Sequence, residues 1–153
     1  MQPARALIAA GKEIRGSDGA EGEGAFLRSK EVHVMARSYA KSLDQTLVPL
    51  GFKRSGDDWV RVRGDMWECV NRQSSQRGGV TVNLFIKDLE TEKLFLAIFG
   101  SEGAVIMPPI TTRIGELMGG RDRWWSSSQA DGPDEMIKLL LQYGLPWFDE
   151  ART

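Results

Sequence analysis

The sequence predicts an α+β domain in which an antiparallel sheet carries helices on one of its faces. A stripe of apolar residues at helical spacing comes first, a series of short alternating runs follows, and a second helical segment ends the pattern. The connections between the alternating runs are mostly too short to contain the helix that a parallel crossover requires. We therefore expect an antiparallel meander of about five strands, with N-terminal and C-terminal helices packed on one face.

The chain has 153 residues, of which 41% are hydrophobic and 27% are charged, as in a single compact domain. Residues 1–28 lack sustained periodicity and include the glycine-rich run 16–24, which predicts a flexible leader before a single α+β domain over 29–153. The longest apolar stretch near the start, 6–10, is shorter than a signal-peptide core or a membrane span. Together with a single cysteine, this predicts a cytoplasmic protein that does not enter a membrane.

The first helix is predicted from apolar residues that recur at steps of three and four. They are Val32, Met35, Ala36, Tyr39, Leu43, Leu47 and Leu50. Ser29 is the candidate N-cap. Pro49 followed by Gly51 should end the helix, because proline disfavours helical geometry in the residue before it and glycine accepts a left-handed exit.

Five alternating runs predict the strands: 52–55, 59–63, 67–73, 80–88 and 94–99. After Pro108 and Pro109, residues 110–118 fit a short helix and an extended segment equally well, so 101–131 stays unassigned. The last helix should begin at Gly132 and Pro133 and end at Gly144 and Pro146.

Charge and motif content make several function classes improbable. The chain has 20 Lys plus Arg against 21 Asp plus Glu, so its net charge of -1 provides no long-range attraction for nucleic acid. One cysteine and one histidine leave a zinc site incomplete, and no calcium loop, phosphate loop or dinucleotide fingerprint is present. We therefore expect no metal, no cofactor and no nucleic-acid partner.

Cys69 and His33 form the only thiol and imidazole pair available for nucleophilic catalysis. Cys69 lies in the middle of a predicted strand, where a free cysteine usually behaves as a small buried hydrophobe with an unactivated thiol. The sequence therefore favours a protein without catalytic residues.

Three amides, Asn71, Gln73 and Asn83, lie near the centre of the predicted sheet, and the strand register decides their meaning. If they share a face with the apolar residues of the 80–88 run, they form a buried network beneath the turn 74–79. If the faces oppose each other, a candidate binding face forms from Trp59, Arg61, Arg63, Trp67, Asn71, Gln73, Asn83 and Phe85. The buried network is favoured, because Trp67 and Cys69 prefer to be covered.

A second candidate set combines cations with aromatic rings in the unassigned stretch. Its members are Arg113, Arg123, Trp124 and Trp125, with Arg121 beside them. Such a set can stack a nucleobase or hold a phosphate. With a net charge near zero, a flap whose two tryptophans pack inward is the favoured interpretation.

Several short segments, taken in order, resemble a bacterial family: Gly51-Phe52-Lys53, Trp59, Val70-Asn71-Arg72-Gln73-Ser74-Ser75, Val82-Asn83-Leu84, Arg113-Ile114, Trp124-Trp125 and Leu145-Pro146-Trp147-Phe148. The family is the domain of unknown function 4304 family, and the similarity spans about residues 30–149. The resemblance supports the domain limits and the α+β fold and implies no catalytic residue.

Two functions from different classes remain open. The favoured one is a non-enzymatic binding or interaction module with a protein partner, for example an immunity or antitoxin-like protein, because no nucleophile, metal or cofactor signature is present. The alternative is a small hydrolase or transferase whose acid and base groups come together only in the fold.

Overall fold

The structure, a computed structural model, describes residues 38–100 and 109–153. The predicted leader, the cap at Ser29, His33 and Pro108 lie outside these residues. The described chain begins in helix α1, which covers 38–47 and continues as a 3-10 turn over Val48–Leu50. Gly51 then adopts a left-handed φ of 93°, and its N–H donates to the Val48 carbonyl. The predicted end of the first helix is therefore confirmed.

Six strands form one antiparallel sheet: β1 (Lys53–Ser55), β2 (Asp58–Arg63), β3 (Met66–Ser74), β4 (Gly79–Asp88), β5 (Ile110–Arg113) and β6 (Trp125–Ser126). Strands β1 to β5 lie in sequence order, and the short β6 pairs with the first residues of β4. Strands β1 to β4 therefore pair as consecutive hairpins, and β5 joins β4 after helix α2, which confirms the predicted α+β class and the antiparallel sheet.

One strand was wrongly predicted. Residues 94–99 belong to helix α2 (Leu89–Phe99), whose N-cap Asp88 accepts hydrogen bonds from the backbone of Glu90 and Thr91. The cap starts a helix before the apolar run begins, and six consecutive apolar residues contain no alternation that opposes it. The fifth strand instead comes from the unassigned stretch, as β5, and continues directly into the short helix α3 (Ile114–Leu117).

The C-terminal segment begins as predicted and ends differently. Helix α4 (Gly132–Leu139) has proline in its first turn, but Gly144 does not stop the chain, which passes through a π-helical turn (Leu140–Gly144) into α5 (Leu145–Ala151). Gly144 has an ordinary helical φ of -73°. A Cβ there would lie 2.7 Å from Leu140 Cδ1 and 3.2 Å from Leu84 Cδ1, so close packing on the sheet explains this glycine.

The core lies between the helices and one face of the sheet. Its fully buried sheet residues include Trp59, Val70, Val82, Leu84 and Ile86, and its helical residues include Tyr39, Leu43, Leu47, Met136, Leu140 and Phe148. The first helix and the C-terminal helices therefore pack on one face, as expected. We call this the covered face and the opposite one the open face.

Candidate functional site

The register between β3 and β4 decides which side chains the open face presents. Asn71 lies opposite Asn83, Cys69 opposite Phe85, and Trp67 opposite Lys87. Val70, which is fully buried in the core, lies opposite Leu84. Directly opposite residues share a face, so the amides point away from the core. The favoured buried network beneath the turn is therefore wrong, and the opposing arrangement is the correct one for β3 and β4.

The three amides form a short chain of hydrogen bonds on the open face. Asn83 Nδ2 donates to Asn71 Oδ1 at 3.1 Å and to Gln73 Oε1 at 2.9 Å. Asn71 Nδ2 in turn donates to Asp58 Oδ1 at 2.7 Å. These bonds join three strands through side chains and fix the orientation of each amide group.

Arg113 and Trp124 extend the same surface toward the sheet edge. Arg113 lies opposite Asn83 across β4 and β5, and its guanidinium lies 5.8 Å from the Trp124 ring centroid. Asp122 accepts from both Arg113 Nη1 and Trp124 Nε1, so one carboxylate holds the cation and the ring together. We call Asn71, Gln73, Asn83, Arg113 and Trp124 the amide-arginine cluster.

A pocket of about 300 Å³ opens at the edge of this cluster. Its lining residues come from β3, β4, β5 and α3: Gln73, Asn83, Phe85, Thr111, Thr112, Arg113 and Glu116. Glu116 Oε2 accepts from Thr112 Oγ1 at 3.1 Å and from the Arg113 backbone N–H at 3.0 Å. The pocket therefore combines one aromatic wall with amide, hydroxyl, carboxylate and guanidinium groups.

Three members of the predicted binding face, all from β2, lie on the covered face instead. Trp59 pairs with Val70, is fully buried, and donates from Nε1 to Asp44 Oδ1 at 2.8 Å. Arg61 pairs with Glu68, a fully buried carboxylate that it contacts at 2.7 Å. The prediction placed the odd-numbered residues of β2 on the open face, whereas the structure places them on the covered face. Because side chains alternate along a strand, Trp59, Arg61 and Arg63 all change face together. Arg63 also pairs with Glu68, at 2.6 Å.

Two members of the second candidate set stabilise the fold, and two lie at the candidate site. Trp125 is fully buried and donates to Glu135 Oε2 at 3.1 Å, while Arg123 pairs with Glu135 Oε1 at 2.7 Å. Both residues fasten the segment before α4 to that helix. Trp124 and Arg113 instead lie beside the amides. The inward packing expected for both tryptophans is thus complete for Trp125, whereas Trp124 is only half-buried.

Cys69 is buried in the middle of β3, as its position in the predicted strand indicated. Burial, with a smaller contribution from the neighbouring Asp58 carboxylate, raises the pKa of its thiol from 9.0 to about 12. A thiol with this pKa is protonated at neutral pH and is a poor nucleophile. Among the residues the structure describes, no three His, Cys, Asp or Glu side chains are grouped so as to hold a metal ion.

Sequence reasoning missed the acidic members of the site. Asp58 lies just outside the predicted strand 59–63, but it is the first residue of β2 and accepts from Asn71. Glu116 and Asp122 fell in the unassigned stretch. The spacing of Glu116 three residues after Arg113, at the start of a helix, is the one signal that could have located it as a capping residue.

The family comparison agrees with the segments that suggested it. The family model described as Domain of unknown function (DUF4304) matches residues 43–150. The chain belongs to this family. Segments that carried the resemblance are distant in sequence, yet each member of the amide-arginine cluster comes from one of them. Comparison with curated proteins and with solved structures finds no match. Over the described ranges, no helix has the length and apolar character needed to cross a bilayer.

Proposed function

We propose that this domain is a non-enzymatic binding module that recognises a protein partner through the amide-arginine cluster on its open face. The observation that carries the proposal is the convergence of five polar or aromatic side chains on the face opposite the hydrophobic core. An immunity or antitoxin-like role in the cytoplasm is one form that such a module takes.

Strand stability does not account for these residues. Asparagine is depleted in strands, and the amides occupy central positions of β3 and β4 where β-branched residues would be more favourable. They add nothing to the apolar core, to which the same two strands contribute Val70, Val82 and Leu84 from the covered face. Their fixed geometry next to an arginine and a tryptophan is typical of protein interfaces, where these two residue types are enriched among energetically important contacts.

The charges favour a protein over a nucleic acid as the partner. Arg113 pairs with Asp122, and the nearby carboxylates of Asp58 and Glu116 further reduce any positive potential. A nucleic-acid surface would need unpaired cations along the phosphate backbone. The Cys69 thiol, protonated at neutral pH, lends no support to the hydrolase or transferase alternative as a nucleophile.

A site-specific photocrosslinking experiment tests this proposal. A photoreactive amino acid replaces Thr111 on the open face in one variant and Lys138 on helix α4 in another, because both residues are exposed. In cells that naturally make the protein, Thr111 should capture a defined protein and Lys138 should not. The captured protein is then purified for calorimetry.

Calorimetry with the purified partner gives the decisive comparison. Arg113→Ala should weaken binding by roughly tenfold or more, as expected for an interface arginine, whereas Lys138→Ala should leave the Kd unchanged. Equal sensitivity to both substitutions, or capture of nucleic acid instead of protein at Thr111, would show that the open face is not a protein-binding site.

A further inference from the structure

The hydrogen bonds of the amide chain leave one donor and one acceptor unused. Asn83 donates twice through Nδ2, and Gln73 accepts through Oε1, so Gln73 Nε2 and Asn83 Oδ1 take no part in the chain. Neither atom has a hydrogen-bond partner among the described residues. Among the described residues, Arg123 Nε is the only side-chain nitrogen or oxygen that is both buried and without a partner. Because the two amide atoms also have no partner, they are accessible to solvent.

These two atoms belong to adjacent amide groups at the wall of the pocket. Gln73 and Asn83 are joined at 2.9 Å through their other atoms, and both line the pocket together with the Phe85 ring. A donor beside an acceptor complements a group that carries an acceptor and a donor side by side. The volume of about 300 Å³ lies at the lower end of small-molecule sites and suits a single side chain.

The surrounding charges disfavour an anion in this pocket. Arg113 is the only cationic lining residue, and its Nη1 is paired with Asp122. Glu116 adds a second carboxylate, whose Oε2 is held by Thr112 and by the Arg113 backbone. Two carboxylates against one guanidinium make a neutral group a better match than a carboxylate or a phosphate.

We infer that the pocket binds the carboxamide of an asparagine or glutamine side chain presented by the protein partner. The carboxamide oxygen accepts from Gln73 Nε2, its NH₂ donates to Asn83 Oδ1, and the aliphatic part of the side chain packs on Phe85. This inference rests on the proposed function, since the partner supplies the side chain. A nucleobase also presents adjacent donors and acceptors. In a nucleic acid the attached phosphate would approach the two carboxylates, and a nucleoside without phosphate tests the base alone.

An NMR titration of the ¹⁵N-labelled full chain tests the inference with defined probes. N-acetylglutamine methylamide is compared with N-acetylglutamate methylamide, which has the same backbone and size but a carboxylate, and with adenosine. The glutamine probe should shift the side-chain amide signals of Gln73 and Asn83 and bind roughly tenfold more tightly than the glutamate probe, the effect of one mismatched hydrogen bond. Equal or tighter binding of the glutamate probe or of adenosine would overturn the inference.

A charge-matched pair of variants isolates the donor. Gln73→Glu keeps an oxygen that accepts from Asn83, replaces the Nε2 donor by an acceptor oxygen and adds one negative charge, so binding of the glutamine probe should fall roughly tenfold. Gln142→Glu adds the same charge at an exposed position on the π-helical turn and should leave binding unchanged. Unchanged binding by a folded Gln73→Glu variant would contradict the inference. If Arg113→Ala weakened partner binding and Gln73→Glu did not, the carboxamide inference would fail while the proposed function would stand.

Discussion

The two faces of the sheet use alternate residues of the same strands for different purposes. On the covered face, Trp59, Val70 and Leu84 are fully buried, and polar groups such as Glu68 are paired within the fold. On the open face, Asn71 and Asn83 are half-buried and bond to other side chains at the surface. Residues of the core and residues of the proposed binding surface therefore alternate along the same strands.

The largest expected effect is the loss of the tryptophan that the prediction placed on the wrong face. Trp59→Ala should lower the free energy of unfolding by about 3 to 5 kcal/mol, because it leaves a large cavity in the core and deprives Asp44 of a donor. Urea denaturation followed by circular dichroism measures the change. A loss below about 1 kcal/mol would mean that the two faces do not differ as described.

A much smaller loss is expected from the open face. Gln73→Ala should lower the free energy of unfolding by less than about 1 kcal/mol, since Asn83 keeps its bond to Asn71 and water can replace the missing acceptor. The same denaturation experiment applies. A loss near that of Trp59→Ala would instead show that the amide chain is a structural element of the sheet.

The smallest expected change in the free energy of unfolding at neutral pH is that of Cys69→Ala. Cys69 is buried although it lies on the open face. Its thiol has a pKa of about 12 in the folded protein and an ordinary value of 9.0, so the native state retains the proton over that interval. Stability contributed by this group is complete below pH 9 and is lost progressively as the pH rises toward 12. Cys69→Ala should flatten the stability profile between these pH values and leave partner binding unchanged.

Labelling provides the direct check on that thiol. At neutral pH, a thiol reagent should modify the denatured protein far faster than the native protein. Equal labelling rates would mean that Cys69 is accessible and activated.

The parts of the fold that were predictable depend on local signals. The apolar stripe Tyr39, Leu43 and Leu47 located the first helix, and Pro133 located the start of the last one. Residues 94–99 were wrongly assigned, because a continuous apolar run fits a strand and a helix alike and only the cap at Asp88 distinguishes them.

The sequence predicted as one group only those residues of the candidate site that lie on two strands adjacent in the sequence, β3 and β4. Asn71, Gln73 and Asn83 were recognised, yet their orientation depended on a register that the turn after Ser74 sets and that composition does not reveal. Arg113 approaches the amides through pairing between β4 and β5, and Trp124 through pairing between β4 and β6. These long-range contacts have no local sequence signal. The prediction placed Trp59 on the wrong face, because a shift of one residue in the register of a strand exchanges its two faces.

Helix α2 differs from every other long helix described here, because none of its residues is buried. Leu94, Ile98 and Phe99 are 64%, 73% and 65% exposed. Unwinding this helix therefore uncovers little additional apolar surface, and the free energy of that local opening is small compared with global unfolding. Its backbone amides should exchange with deuterium under conditions in which those of β3 and β4 remain protected, so α2 behaves as a separate cooperative unit on a stable sheet.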